Sequence, residues 1–117
     1  EFKKAELIID KLLKEEPDNF SAWKLKAMIF SLSEQYQESL KIYTRLINEH
    51  NNDIELYLQR AATLLTLNNL SAAETDINFI LKKNNRLPAA NFLMAKLRIA
   101  QKNYKQAELF AEQVLAI

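Results

Sequence analysis

The 117 residues contain no glycine, no cysteine and only two prolines. Two-residue β-hairpin turns depend on glycine, so its absence argues against a sheet protein and for long helices. Without cysteine there is no disulfide and no thiolate metal site. That absence leaves the compartment open, cytoplasmic or periplasmic. No apolar run approaches the roughly 20 residues a membrane helix needs, so direct membrane insertion is not expected. A surplus of one charge is missing too: 16 basic residues face 15 acidic ones, for a net charge of +1. Nucleic-acid modules carry a clustered basic excess, and none is present. His50 is the one histidine and falls beside Asn51 and Asn52, as a solvated residue at a helix end. Residue spacing offers no nucleophile–base pair, no metal triad and no glycine-rich phosphate loop. The expectation is a protein that is not an enzyme and needs no cofactor or metal.

What the chain does contain is apolar residues, 49% of the total, enough for a substantial core. They recur with a fixed period. Phe2, Tyr36, Leu70 and Tyr104 lie 34 residues apart, as do Ala5, Ser39, Ala73 and Ala107. The same step links Ile9, Tyr43, Ile77 and Ala111, and then Leu12, Leu46, Ile80 and Val114. Between these columns run Trp23 with Tyr57, and Ala27 with Ala61 and Ala95. Small residues recur where two helices must approach closely, and bulky ones where space beside them needs filling.

A 34-residue period of this kind is the signature of tetratricopeptide repeats, and the chain resembles that family over its whole length. The resemblance rests on Trp23 and Ala27 on one helix, Tyr36, Tyr43 and Leu46 on the next, and the turn Glu16-Pro17-Asp18-Asn19. Lys26 and Arg60 stand where the family prefers Leu, Asn51 and Asn85 where it prefers Pro, and Asn91 where it prefers Trp or Tyr. The resemblance implies an all-α fold, a right-handed superhelix of helical hairpins. Seven helices are expected, at about 2–15, 20–33, 36–49, 54–67, 71–83, 88–101 and 104–116. They form one array over 1–117: the second helix of a truncated repeat in 1–19, repeats at 20–53 and 54–87, and an incomplete repeat at 88–117. Asn68-Asn69, Asn84-Asn85 and Asn103 are expected to stop helices in the left-handed region in place of glycine. Ser71 with Glu74 reads as a capping box, and Pro88 suits a first helical turn. Residues 1–15 lack their own first helix, Leu115 and Ile117 lack a following one, and no polar capping repeat is visible. The chain therefore reads as an excerpt from a longer array.

The helices at 20–33, 54–67 and 88–101 are apolar on nearly every side, whereas the others carry one polar stripe. In the tetratricopeptide family the former line a concave groove that holds a peptide or a partner helix. The groove positions implied here are Lys24, Met28 and Ser31, then Glu55, Leu58, Ala62 and Leu65, then Phe92, Lys96 and Ile99. Covering Met28, Leu58, Leu65, Phe92 and Ile99 is worth roughly 1.5–3 kcal/mol each before ordering costs. The expected function is a non-catalytic scaffold that binds a protein or peptide in this apolar groove. The alternatives are that these side chains pack within a tightly wound superhelix, that the apolar ends form a homo-oligomer, or that the array positions a catalytic domain or an envelope-assembly complex. The family's carboxylate clamp for chaperone tails is matched by Lys24 alone, its other positions being Met28, Gln59, Ala89 and Leu93. RNA-reading helical repeats carry polar base-reading side chains and a basic groove, unlike these positions. The stretch from Leu87 to Ile117 also resembles the long tetratricopeptide proteins of bacterial envelope and exopolysaccharide systems, which would imply a periplasmic or membrane-tethered scaffold.

Overall fold

The 34-residue period of the sequence becomes a period of helices. The computed structural model describes residues 2–116. In order these form α1 (Phe2–Glu15), α2 (Phe20–Leu32), α3 (Tyr36–Glu49), α4 (Ile54–Thr66), α5 (Leu70–Lys83), α6 (Pro88–Ala100) and α7 (Tyr104–Leu115). No strand occurs among the described residues. Ile117, read above as an apolar end position, lies outside them. The all-α expectation holds, and each helix begins and ends within about a residue of its expected limits.

Contacts divide the chain into two compact units, Glu1–Asn52 and Asp53–Ile117. In the first, α2 packs against both α1 and α3. Ile9 and Leu13 of α1 meet Ala22 and Ile29 of α2, with Phe2, Ala5, Leu12 and Trp23 packed around them. In the second unit, α4 packs on α5 and also beside α6, and α6 packs on α5 and α7. The small columns sit where the helices cross. Ala27, Ala61, Ser39 and Ala73 are fully buried, and Ala95 and Ala107 nearly so. Ser39 would leave a hydroxyl in that crossing, but it donates to the Ala27 carbonyl at 3.0 Å. A buried hydroxyl with a partner avoids the desolvation cost of an orphan.

The helix stops differ from the expectation in an instructive way. Left-handed residues do end α2, α4 and α6, but they are Glu34, Asn68 and Lys102, again 34 residues apart. Each sits in a Schellman turn. Gln35 N–H reaches the Phe30 carbonyl at 2.7 Å, Asn69 N–H the Leu64 carbonyl at 2.8 Å, and Asn103 N–H the Arg98 carbonyl at 2.8 Å. Of the expected stops only Asn68 is left-handed. Asn84 is extended at φ −152°, and Asn103 instead caps the start of α7, accepting from the Gln106 N–H. The capping box at Ser71 is also absent. Helix α5 begins one residue earlier, at Leu70, so Ser71 already lies inside it. The Glu74 carboxylate turns instead to Arg98 at 2.8 Å, a charge-assisted bond stronger than a cap. Lysine in the left-handed region carries a strain that glycine does not. Lys102→Gly is therefore expected to stabilise the chain by about 0.5–1 kcal/mol after the entropy cost of glycine. An unchanged urea midpoint would show that Lys102 is not strained.

Three of the departures from the repeat pattern, Lys26, Arg60 and Asn91, are compensated. Lys26 forms an ion pair with Asp10 across α1 and α2 at 2.8 Å. Arg60 meets Asp76 across α4 and α5 with two bonds, Nε to Oδ2 at 2.8 Å and Nη2 to Oδ1 at 2.7 Å. The Asp76 hydrogen bond holds the Arg60 guanidinium above its already high ordinary pKa, against the opposing pull of burial. A base with a raised pKa stabilises the fold at every pH below its unfolded value, so Arg60 stays charged across the accessible range. Asn91, in the Trp or Tyr column, is buried and donates Nδ2 to the carbonyls of Asn85 at 3.1 Å and Leu87 at 3.2 Å. Trp23 does the same with Nε1, six residues back to the Pro17 carbonyl at 2.7 Å. The amide thus replaces the indole N–H as the anchor of the turn that precedes the helix.

Candidate functional site

The residues expected to contact a partner lie on α2 in the first unit and on α4 and α6 in the second. On α6, Phe92, Lys96 and Ile99 follow the i, i+4, i+7 spacing that places three side chains on one helix face. Phe92 is 55% and Ile99 53% exposed, although α6 otherwise buries Ala90, Asn91, Leu93, Met94, Ala95 and Leu97. Lys96 is exposed and holds its ammonium 5.6 Å from the Phe92 ring centroid, which keeps the cation beside the apolar face.

On α4, Glu55, Leu58, Ala62 and Leu65 also share a face by spacing. Glu55 is exposed and accepts from Gln59 Nε2 at 2.9 Å. Leu58, Ala62 and Leu65 are only half-buried, in a helix that packs beside α6. Their remaining surface is smaller than full exposure would give. The gain expected from covering Leu58 and Leu65 shrinks accordingly.

On α2, Met28 is exposed, flanked by exposed Leu25 and Leu32. These three follow an i, i+3, i+7 spacing that the sequence reading did not single out. Their pattern was legible in the nearly unbroken apolar composition of this helix. Lys24 is half-buried, with its ammonium 5.2 Å from the Phe20 ring centroid. Ser31 is corrected: its hydroxyl lies 2.7 Å from that of Ser39 on α3, so it faces the partner helix and not a groove. Outside these faces, Leu7 and Ile8 on α1 and Leu109 and Leu115 on α7 are also exposed.

His50 is exposed, as expected for a helix end, but its ring lies 4.0 Å from that of Phe20. No group of three or more His, Cys, Asp or Glu side chains that could hold a metal occurs among the described residues. No described helix is long and apolar enough to cross a membrane.

Comparison with solved structures assigns these hairpins to a class. MamA from Desulfovibrio magneticus RS-1 superposes with a TM-score of 0.87 at 16% identity, over 98% of this chain and 65% of that one. A tetratricopeptide repeat protein from Parabacteroides merdae superposes with a TM-score of 0.84 at 24% identity, over 98% of this chain and 46% of that one. The fold is a tetratricopeptide-like array of helical hairpins. This chain spans less than two thirds of either neighbour. No family model matches the sequence, and a search of curated proteins finds no relative.

Proposed function

We propose that the chain is a non-catalytic scaffold that binds a peptide or a partner helix on the apolar faces of its first helices. The observation that carries this reading is the exposure of Phe92 and Ile99 on a helix that buries most of its other residues. An aromatic side chain held half in water on an ordered helix loses little conformational entropy when a partner covers it. The half-buried Leu58, Ala62 and Leu65 of α4 provide an apolar floor, and Lys96 and Glu55 provide a charged rim. Met28 and Lys24 of α2 supply the same chemistry in the first unit. This composition suits the apolar stripe of an amphipathic helix, with residues spaced i, i+3 or i+4, and i+7. The likeness to tetratricopeptide structures supports a protein as the ligand.

A photo-crosslinking residue tests the assignment. Placed at Phe92 in the full-length protein, it is expected to attach to the bound partner. Placed at Asn78, exposed on α5, it is expected to attach to nothing. Attachment from position 78 and not from 92 would put the partner on the other helices and overturn the proposal.

A further inference from the structure

Two columns of the repeat meet at the entrance of every hairpin, and their chemistry changes along the chain. One column holds Trp23, Tyr57 and Asn91, the other Arg45, Phe79 and Gln113. Between α2 and α3, the Arg45 guanidinium carbon stacks 3.9 Å from the Trp23 ring centroid. Between α4 and α5, the Tyr57 and Phe79 rings stack at 4.2 Å and 24°. Between α6 and α7 the columns present two amides, Asn91 and Gln113, and no ring.

Asn91 keeps the turn anchored but fills none of the volume of an indole. That volume is present as a cavity. Bounded by the end of α5, the α5–α6 turn, α6 and α7, it is an open cleft of about 420 Å³ lined by Leu81, Asn85, Arg86, Asn91, Phe110 and Gln113. The corresponding space beside Trp23 and Arg45 measures only about 140 Å³. The larger cavity falls in the size range of small-ligand sites. Its chemistry is mixed: Leu81 and Phe110 offer apolar walls, and Asn85 and Gln113 offer amide groups. Among the described residues Arg86 is the one charged side chain of the lining, and its guanidinium forms no ion pair with them. In the other two hairpins the same two columns bring a ring under a guanidinium or against a second ring.

We propose that this cavity is a subsite for an aromatic side chain of a protein partner, a Trp or Tyr that stands next to a carboxylate. The ring takes the place that Trp23 and Tyr57 fill in the other hairpins, against Leu81 and Phe110. Arg86 supplies the cation that the site otherwise lacks: it covers the ring face and pairs with the neighbouring carboxylate. The subsite lies at the α5–α6 turn against α6 and α7, and neither Phe92 nor Ile99 lines it. It stands or falls independently of the first-helix face.

Amide NMR shifts of the chain titrated with N-acetyl-tryptophan, N-acetyl-tryptophanamide and N-acetyl-leucine test the proposal. The expected result is saturable shifts at Asn91, Phe110 and Gln113 with the two indole probes at millimolar concentration, and none with N-acetyl-leucine. Asn91→Trp, which fills the cavity from within and can still donate to the turn, is expected to abolish them. Gln113→Trp is expected to do the same from an exposed helix position, by filling the space with its own ring. Arg86→Gln should weaken N-acetyl-tryptophan roughly two- to five-fold and the uncharged amide less. Absent shifts, equal shifts from the leucine probe, or binding that survives both Asn91→Trp and Gln113→Trp would each overturn the subsite.

Discussion

Arg60→Leu is expected to be among the most destabilising single changes in this chain, at about 3–5 kcal/mol. The reason is the partner left behind. The Asp76 side chain is 4% exposed, and both of its carboxylate oxygens are bonded to Arg60. Removing the guanidinium strands a negative charge in the packing between α4 and α5, where water cannot take over its bonds. The pair as a whole contributes much less than that loss, because removing both ions from water offsets most of their attraction. The chain itself supports this point. In the next repeat the corresponding positions hold Met94 and Phe110, and Met94 is almost fully buried. Arg60→Met combined with Asp76→Leu is therefore expected to fall within about 1 kcal/mol of the parent. Urea midpoints of the parent, the single and the double variant check this. A mild effect of Arg60→Leu would mean that Asp76 is not a buried charge in solution.

Much of this fold can be read from the sequence, because the repeat encodes it several times over. A helix boundary that is ambiguous once is fixed when Phe2, Tyr36, Leu70 and Tyr104 mark it at equal steps. The closely approaching alanines carry their meaning in their size alone, and all but Ala5 are buried where the period puts them. The helix stops were harder. Glu34 and Lys102 have no turn propensity, so only their 34-residue step from Asn68 points to them. Ser71 looked like a cap because its spacing from Glu74 is right. Nothing local reveals that Glu74 pairs with Arg98, 24 positions away. Asn91 looked like a defect, since the match of its Nδ2 to the Trp23 indole N–H appears only when both turns are in place. The candidate face was legible as an apolar stripe, but the share of each side chain already covered was not. That share depends on neighbouring helices, which is why Leu58 and Leu65 are half-buried while Phe92 and Ile99 are open.

Phe92→Glu is expected to carry the largest effect on binding, a loss of roughly thirty-fold or more in affinity for the captured partner. About half of the Phe92 surface remains available to a partner, worth about 1 kcal/mol of apolar burial by itself. The substitution forfeits that gain and also forces a carboxylate into a desolvated contact, which brings the total past about 2 kcal/mol. Folding should be spared because the side chain is 55% exposed. Leu58→Glu should also block binding, but it disturbs a half-buried position, so Phe92 separates binding from stability more cleanly. Asn78→Glu on α5 serves as the matched control for the added charge. The decisive measurement is the partner's dissociation constant against the parent, Phe92→Glu and Asn78→Glu forms of the full-length protein, with helicity checked for each. A scaffold that binds through its first helices loses affinity at Phe92→Glu alone, with helicity and the Asn78→Glu affinity unchanged. Equal affinity for all three forms would contradict it.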